Sequence, residues 1–325
     1  MLDVLIIGAG PAGLYAAFYG GMKKLSAAIV ESLPYVGGQL TTLYKEKPIY
    51  DIPGIKDITA GGFIDALMDQ FADYQEDIPL HLNTKATTLE KIDGGYRVGT
   101  NTGLTFDTKT ILITAGAGTF SPRLLEAEGA SASKNIYYFV NSVRDFTGKD
   151  VTVLGGGDSA IDWGLLISSV TTKVDIIHRR NDFRAHEDSI EKFQRVGTIL
   201  KPYNILKAMD VHNKVELLLE HVETKEQVVH SSDVVLVNYG LAPVPSVFAA
   251  WGLEMEGPAI KVTSAMATNL IGIYAAGNAA TYDGKSKNIL SGLGEVTTAI
   301  GVIAKYLYPN KAPVYSSAMP RKETK

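Results

Sequence analysis

The sequence predicts an α/β protein built from two nested, doubly wound domains, and three observations carry that reading. Two apolar runs each break into a glycine-rich turn and then a helical stretch, LDVLIIGAGPAG at residues 2–13 and DVTVLGGGDSA at 150–160. In a chain of 325 residues the two turns lie about a domain's length apart, which reads as a weak internal repeat. Between and beyond them run segments with strand alternation, as expected if one domain interrupts the other.

LDVLII, continuously apolar, has the character of a buried parallel strand. After its glycine turn, LYAAFYGG has helical spacing and SAAIVES reads as a second strand, completing one β-α-β unit. FIDALMDQFADYQ (63–75) repeats its apolar residues at helical intervals. The following KATTLEKIDGGYRVGTNTGLTFDTKTILITAG alternates, with turns at Asp93-Gly94-Gly95 and Asn101-Thr102-Gly103. The second unit continues through IDWGLLISS as helix to the strand KVDIIHR (173–179). TILKPYNIL, VELLLEHV and DVVLVNYG then read as strands, with a turn at His212-Asn213. A last strand, IGIYAAGN (271–278), precedes a long helix expected from about residue 292 to 308, and the tail reads as irregular. The most economical layout is a first domain of residues 1–116 and 243–325, interrupted by a second of residues 117–242. The crossings fall in Ala115-Gly116-Ala117-Gly118 and Gly240-Leu241-Ala242-Pro243.

Bulk properties exclude several function classes. A net charge of −4 gives nothing global for nucleic acid or an anionic membrane to recognise. Hydrophobic content of 46% with 20% charged residues suits a soluble protein with sizeable cores. The acidic start MLD and the lack of a membrane-length apolar run make a cytoplasmic protein the expectation. Zero cysteines rule out disulfides, thiolate nucleophiles and iron–sulfur ligation by this chain. The six histidines form no metal-binding motif, so no metal is expected.

The two glycine turns differ in a way that bears on chemistry. Gly8-Ala9-Gly10-Pro11-Ala12-Gly13 matches the Rossmann-like dinucleotide pattern. In it Gly8 permits the turn, Gly10 lets backbone approach a pyrophosphate, and Gly13 lets helix and strand pack closely. Glu31 ends the next strand, where an acid accepts hydrogen bonds from a ribose 2′-hydroxyl, as FAD offers. Gly155-Gly156-Gly157-Asp158-Ser159-Ala160 repeats the pattern, but its second strand ends in His178-Arg179-Arg180, with Arg184 nearby. Cations there suit the 2′-phosphate of NADPH. One bound flavin and one exchangeable nicotinamide describe a flavin-dependent reductase.

With GAGPAGLYAA, Gly37-Gly38-Gln39-Leu40, TILITAGAG, GGGDSAIDW, HRRNDFRAHE and IYAAGN, nearly the whole chain resembles the two-dinucleotide flavoproteins that include thioredoxin reductase. Those enzymes carry a CxxC before the second glycine turn. The corresponding positions here, near Tyr138 and Asn141, cannot exchange thiols. The chain therefore resembles the cysteine-free branch, the ferredoxin/flavodoxin–NADP oxidoreductases. That resemblance implies FAD contacts at Ala12, Glu31, Gln39, Tyr44, Ala86, Phe120 and Ser317, with Tyr50 stacked on the isoalloxazine ring and Tyr315 against its other face. Asn278 stands where the branch has an aspartate facing the ribityl chain, so a hydrogen-bonding group remains but its negative charge does not.

The resemblance further implies a homodimer that takes hydride from NADPH and passes electrons singly to an acidic carrier, ferredoxin or flavodoxin. No general acid or base is required for this, and none is nominated. A positive helix end near Gly292 is expected at the flavin's pyrimidine side, and Lys285 and Lys287 are candidates for carrier docking. An NAD(P)H oxidase or quinone-type reductase stays open as an alternative, as does a redox-responsive flavoprotein with little turnover.

Overall fold

The computed structural model describes residues 1–116, 118, 120–140, 142–243 and 247–311. The chain divides into two compact units, one formed by Met1–Phe120 and the segment from Pro243 onward, the other by Ser121–Ala242. The first crossing thus falls a few residues beyond the glycine-rich stretch that suggested it.

In the first unit the parallel strands Leu80–His81, Ala27–Val30, Leu2–Ile7, Thr105–Ile113 and Ile273–Ala275 lie side by side. The antiparallel strands Gly95–Thr100 and Ala86–Ile92 extend the sheet from the near end of Thr105–Ile113. Alternate residues of the central strands point to opposite faces, and both faces are buried. Val4, Ile6, Ile29 and Leu112 face the helices Pro11–Met22, Ala60–Ala72 and Ile289–Leu307. Leu5, Ile7, Val30 and Ile113 face the other way, toward Val98, Phe248 and Ile260. Covering of both faces explains why these strands read as unbroken apolar runs.

The last helix begins at Ile289, three residues before the expected glycine. The Asn288 side chain accepts a hydrogen bond from Ser291 N at 2.8 Å, and that cap sets the start.

In the second unit the strands Ile136–Tyr137, Val234–Val237, Val151–Leu154, Val174–Ile177 and Thr198–Leu200 form an all-parallel sheet. One face packs on the antiparallel meander Tyr203–Val211, Lys214–His221 and Gln227–Ser232 through Leu154, Ile177, Val235 and Val237. The run TILKPYNIL, expected as one strand, is two strands parted at Lys201-Pro202, and each joins a different sheet. The helices Asp158–Ser168 and Glu187–Gln194 pack together through Phe193, which is wholly buried. A methyl at Gly164 or Gly197 would lie 2.7 or 2.4 Å from that ring, so the two glycines make its slot.

Both units share one topological feature. The strand before each glycine turn is flanked on one side by the next strand of its own β-α-β unit and on the other by a later one. Ligands bind at the carboxyl edge of such a switch point. Among the described residues no helix is long and apolar enough to cross a membrane.

Because Phe193 fills a slot made by two glycines, Phe193→Ala should cost about 3–5 kcal/mol of folding free energy. Urea unfolding checks this, with Val196→Ala at an exposed neighbouring position as the control. A loss below about 1 kcal/mol would show that this helix contact adds little.

Candidate functional site

The first unit holds a cavity of about 420 Å³ at its switch point. Gly8, Gly10 and Ala12 form its floor, and Glu31, Gln39, Tyr44, Ala86 and Asn278 contribute to its walls. Gly8 has φ +106°, a backbone conformation open to glycine and costly for other residues. Gly13 does not line the cavity but lies beneath it, where a methyl would come within 1.8 Å of the Gly8 carbonyl oxygen. Thr114 Oγ1 donates to the Gly8 carbonyl at 2.9 Å, and Gly37 N donates to the Ala9 carbonyl at 2.8 Å, which fixes the turn from two sides.

The helix Pro11–Met22 receives no side-chain cap at Gly10, in contrast to Ala60–Ala72 and Ile289–Leu307, which are capped by Thr59 and Asn288. Its first-turn N–H groups therefore stay available to an anion.

Glu31 is 6% exposed and held in place by the chain itself. Ala9 N donates to its Oε2 at 2.7 Å, while Leu33 N and Ser32 Oγ donate to Oε1 at 2.8 and 3.1 Å. A carboxylate offers about four lone-pair sites, so it can still accept from a hydroxyl of a bound ribose.

Tyr44 is raised above its ordinary pKa chiefly by burial and then by Asp51. Ile49 and Asp51 line the cavity, while Tyr50 between them is 74% exposed. Asp51 and Lys287 also line the cavity, as do Thr84 and Lys85, which carry no motif signal in the sequence. At one end of the cavity Lys287, Asn288, Ile289 and Gly292 bring in the first turn of the last helix, whose positive end favours negative charge. Tyr315 and Ser317 lie outside the described residues, as do Asn141 and the side-chain placement of Phe120.

Lys285 corrects an expectation. Its side chain is only 4% exposed and paired with Glu295, also 4% exposed, so it is not available as a surface docking group. A lysine between Gly284 and Ser286 in a turn sequence looks solvated. Its partner lies ten residues away on the next helix, where only the fold brings it near.

In the second unit the turn at Gly155, Gly157 and Asp158 leads into a helix that again lacks a side-chain cap at its first residue. Ala160, fully buried, packs the helix start against Gly155, while Asp158 and Ser159 are its first two residues. The basic loop is fastened to this turn at three points. Arg184 N donates to the Gly156 carbonyl at 2.7 Å, and His186 N donates to Asp158 Oδ1 at 3.0 Å. The His178 ring packs on Gly156, where a methyl would come within 2.2 Å of it, and its Nε2 donates to the Asp182 carbonyl at 3.1 Å.

Burial holds His178 below its ordinary pKa of 6.5; the Asp182 bond opposes this and Arg180, Arg179 and Lys201 add to it. The ring thus props the loop as a neutral group at pH 7, while Arg179, Arg180 and Arg184 are exposed cations beside the turn. Where a thiol pair would sit in a relative, Tyr138 accepts a hydrogen bond from Leu125 N at 3.3 Å through its hydroxyl. No group of metal-ligating side chains is found among the described residues.

A family profile described as pyridine nucleotide-disulphide oxidoreductase matches residues 2–301. The chain is 45% identical to a protein named ferredoxin–NADP reductase from Acholeplasma laidlawii, over 96% of each chain. It is 43% identical to one so named from Geobacillus kaustophilus, over 98% of this chain and 97% of the other. Among solved structures, thioredoxin reductase of Lactococcus lactis superposes with a TM-score of 0.77 at 24% identity, covering 95% of this chain and all of that one. The thioredoxin reductase of T. acidophilum gives 0.78 at 23% identity over 94% of this chain and 98% of that one. These two likenesses establish the fold.

Two half-buried histidines of the second unit set a pH dependence. His230 lies 2.8 Å from Thr152 Oγ1 and 3.6 Å from Asp175, and burial lowers its pKa as it lowers that of His178. Below their ordinary value of 6.5 the folded unit therefore binds fewer protons than the unfolded chain. The associated stability is fully present above that pH and is lost as pH falls beneath it. The urea midpoint should drop between about pH 7 and 5.5, and His178→Gln/His230→Gln should flatten that slope. An unchanged slope in the double variant would rule out the histidines as its source.

Proposed function

Since the chain belongs to the pyridine nucleotide-disulphide oxidoreductase family, we propose that it is an FAD-dependent reductase carrying electrons between NADPH and a one-electron carrier protein, ferredoxin or flavodoxin. One observation carries this reading. Two uncapped glycine turns at switch points are followed by opposite charges at the end of the next strand, Glu31 in one unit and Arg179-Arg180 in the other. Full-length relatives named ferredoxin–NADP reductase support the choice of acceptor. The lack of any cysteine removes the thiol acceptor from consideration.

The first cavity fits FAD by its chemistry. The backbone N–H groups of Gly10 and Ala12, at an uncapped helix start, suit a pyrophosphate, and Glu31 suits a ribose. Gln39, Tyr44, Ala86 and Asn278 line the remainder, and the branch resemblance adds Tyr50, Phe120, Tyr315 and Ser317. When bound, FAD supplies the exchange between two-electron and one-electron transfer.

The protein's part is to bind, orient and screen. Gly155, Gly157, Ser159 and Ala160 shape the NADPH pyrophosphate turn, with Asp158 bracing the basic loop. Arg179, Arg180 and Arg184 hold the 2′-phosphate while His178 props their loop. Lys287, at the cavity rim, is the remaining lysine proposed to meet an acidic carrier. The reading extends to a homodimer, as the branch resemblance implies, and to the cytoplasm, the expectation from the bulk sequence.

The purified protein should be yellow, be bleached quickly by NADPH and slowly by NADH, and then reduce ferredoxin or flavodoxin but not thioredoxin. Fast steady turnover with oxygen or quinones and none with ferredoxin would instead favour a small-molecule acceptor. Arg179→Ala/Arg180→Ala should raise the KM for NADPH by about 10–100-fold, as loss of two charge-assisted phosphate contacts predicts, and leave that for NADH nearly unchanged. Equal losses with both nucleotides would remove the arginines from the 2′-phosphate.

A further inference from the structure

A buried carboxylate with three partners lies beside the cavity wall of the first unit. Glu295, on the second turn of the Ile289–Leu307 helix, is 5% exposed, and its carboxylate joins three separate segments. Oε2 accepts from Gly277 N at 2.8 Å; Oε1 accepts from Tyr282 Oη at 2.7 Å and from Lys285 Nζ. The bond to Glu295, followed by desolvation, pushes the Tyr282 hydroxyl up to about 12, so it remains a donor at every physiological pH.

Each joined segment contributes to the cavity wall. Gly277 and Asn278 come from the short turn Gly277–Ala279, Lys287 and Asn288 continue the segment that carries Tyr282 and Lys285, and Ile289 and Gly292 come from the helix itself. The turn and helix lie very close, since a methyl at Gly292 would be 3.2 Å from Gly277 Cα. No apolar contact can hold a glycine N–H in register, whereas a fixed carboxylate oxygen can.

Burying two charges is costly, and a well-packed apolar pair is often as stable as a buried ion pair. Stability alone is therefore a weak reason for this pair to be here. We propose that Glu295, neutralised by Lys285 and oriented by Tyr282, is a positioning residue that holds the Gly277–Ala279 turn, and with it Asn278, in the geometry that binds the flavin. The inference rests on the reading of this cavity as the FAD site. The buried pair sums to zero charge, so its contribution is the register of the turn.

Two charge-free pairs separate positioning from packing. In Glu295→Gln/Lys285→Met an amide carbonyl still accepts from Gly277 N; in Glu295→Leu/Lys285→Met no acceptor remains. Each full-length variant is titrated with FAD, followed by flavin fluorescence and absorption, and separately with NADP⁺. The glutamine pair should bind FAD within about threefold of the parent and the leucine pair at least about tenfold more weakly, the effect of one orphaned buried donor. NADP⁺ binding should be the same in all three.

Equal FAD affinity in the two pairs overturns the inference. Should the leucine pair fail to fold, hydrogen exchange at the Gly277 amide of the glutamine pair decides. Protection and FAD affinity should be retained together or lost together, and either one changing alone overturns the inference. A parent chain that takes up no FAD sinks the flavin reading itself, a result distinct from a parent that binds FAD beside two equal pairs.

Discussion

An α-helix cannot satisfy its own first amides, and in this protein that constraint organises both units. Some helix starts here meet it with a side chain, as those capped by Thr59 and Asn288 do, and others, such as Glu187–Gln194, do not. The two helices that follow the glycine turns do not, because Gly10 and Gly157 occupy the cap positions and carry no side chain. Each helix also begins at the carboxyl edge of parallel strands, where strand order reverses and leaves a crevice. Uncapped first amides, a helix dipole and a crevice together favour an anion there through the backbone alone. The close packing that brings the first helix start to this edge requires bare backbone, since a methyl at Gly13 would lie 1.8 Å from the Gly8 carbonyl oxygen.

With an uncapped glycine turn common to both units, what differs between them is what surrounds the turns. Glu31 is buried and held by three donors of its own chain, so it is a rigid acceptor. The arginines of the other unit are exposed, yet the loop that carries them is pinned through Arg184 N, His186 N and the His178 ring. A long cation on a floating loop loses much of its binding energy to ordering, and these anchors reduce that loss. His178 serves better neutral than charged: a buried cation against Gly156 would repel the two arginines it braces.

The features legible in the sequence were those whose cause is local. Runs such as LDVLII and DVTVL announce strands buried on both faces, and GAGPAG marks a turn by its own steric demands. Nesting was legible because two such units recur with strand-like segments between them. What stayed hidden depends on partners distant in sequence. Asp51, Lys85 and Lys287 reach the cavity only because sheet order and the last helix carry them there. The helix start was placed at Gly292 although Asn288, three residues before Ser291, held the capping signal. Lys285 was misread for the same reason: DGKSK has a surface composition, and nothing within it reveals a carboxylate waiting on the following helix.

The charge balance of that last wall gives Asn278 its meaning. An aspartate at this position would set a negative charge at the cavity edge close to the start of the Ile289–Leu307 helix. Asparagine keeps a hydrogen-bonding group there and removes the charge. Glu295 does not replace it, since Lys285 neutralises the carboxylate within the protein. What residues 277–292 bring to the cavity is then the positive helix terminus and Lys287. A wall of that sign stabilises added negative charge more than it stabilises the neutral state. In the proposed flavin site this raises the affinity for electrons and makes the bound cofactor a readier acceptor from NADPH.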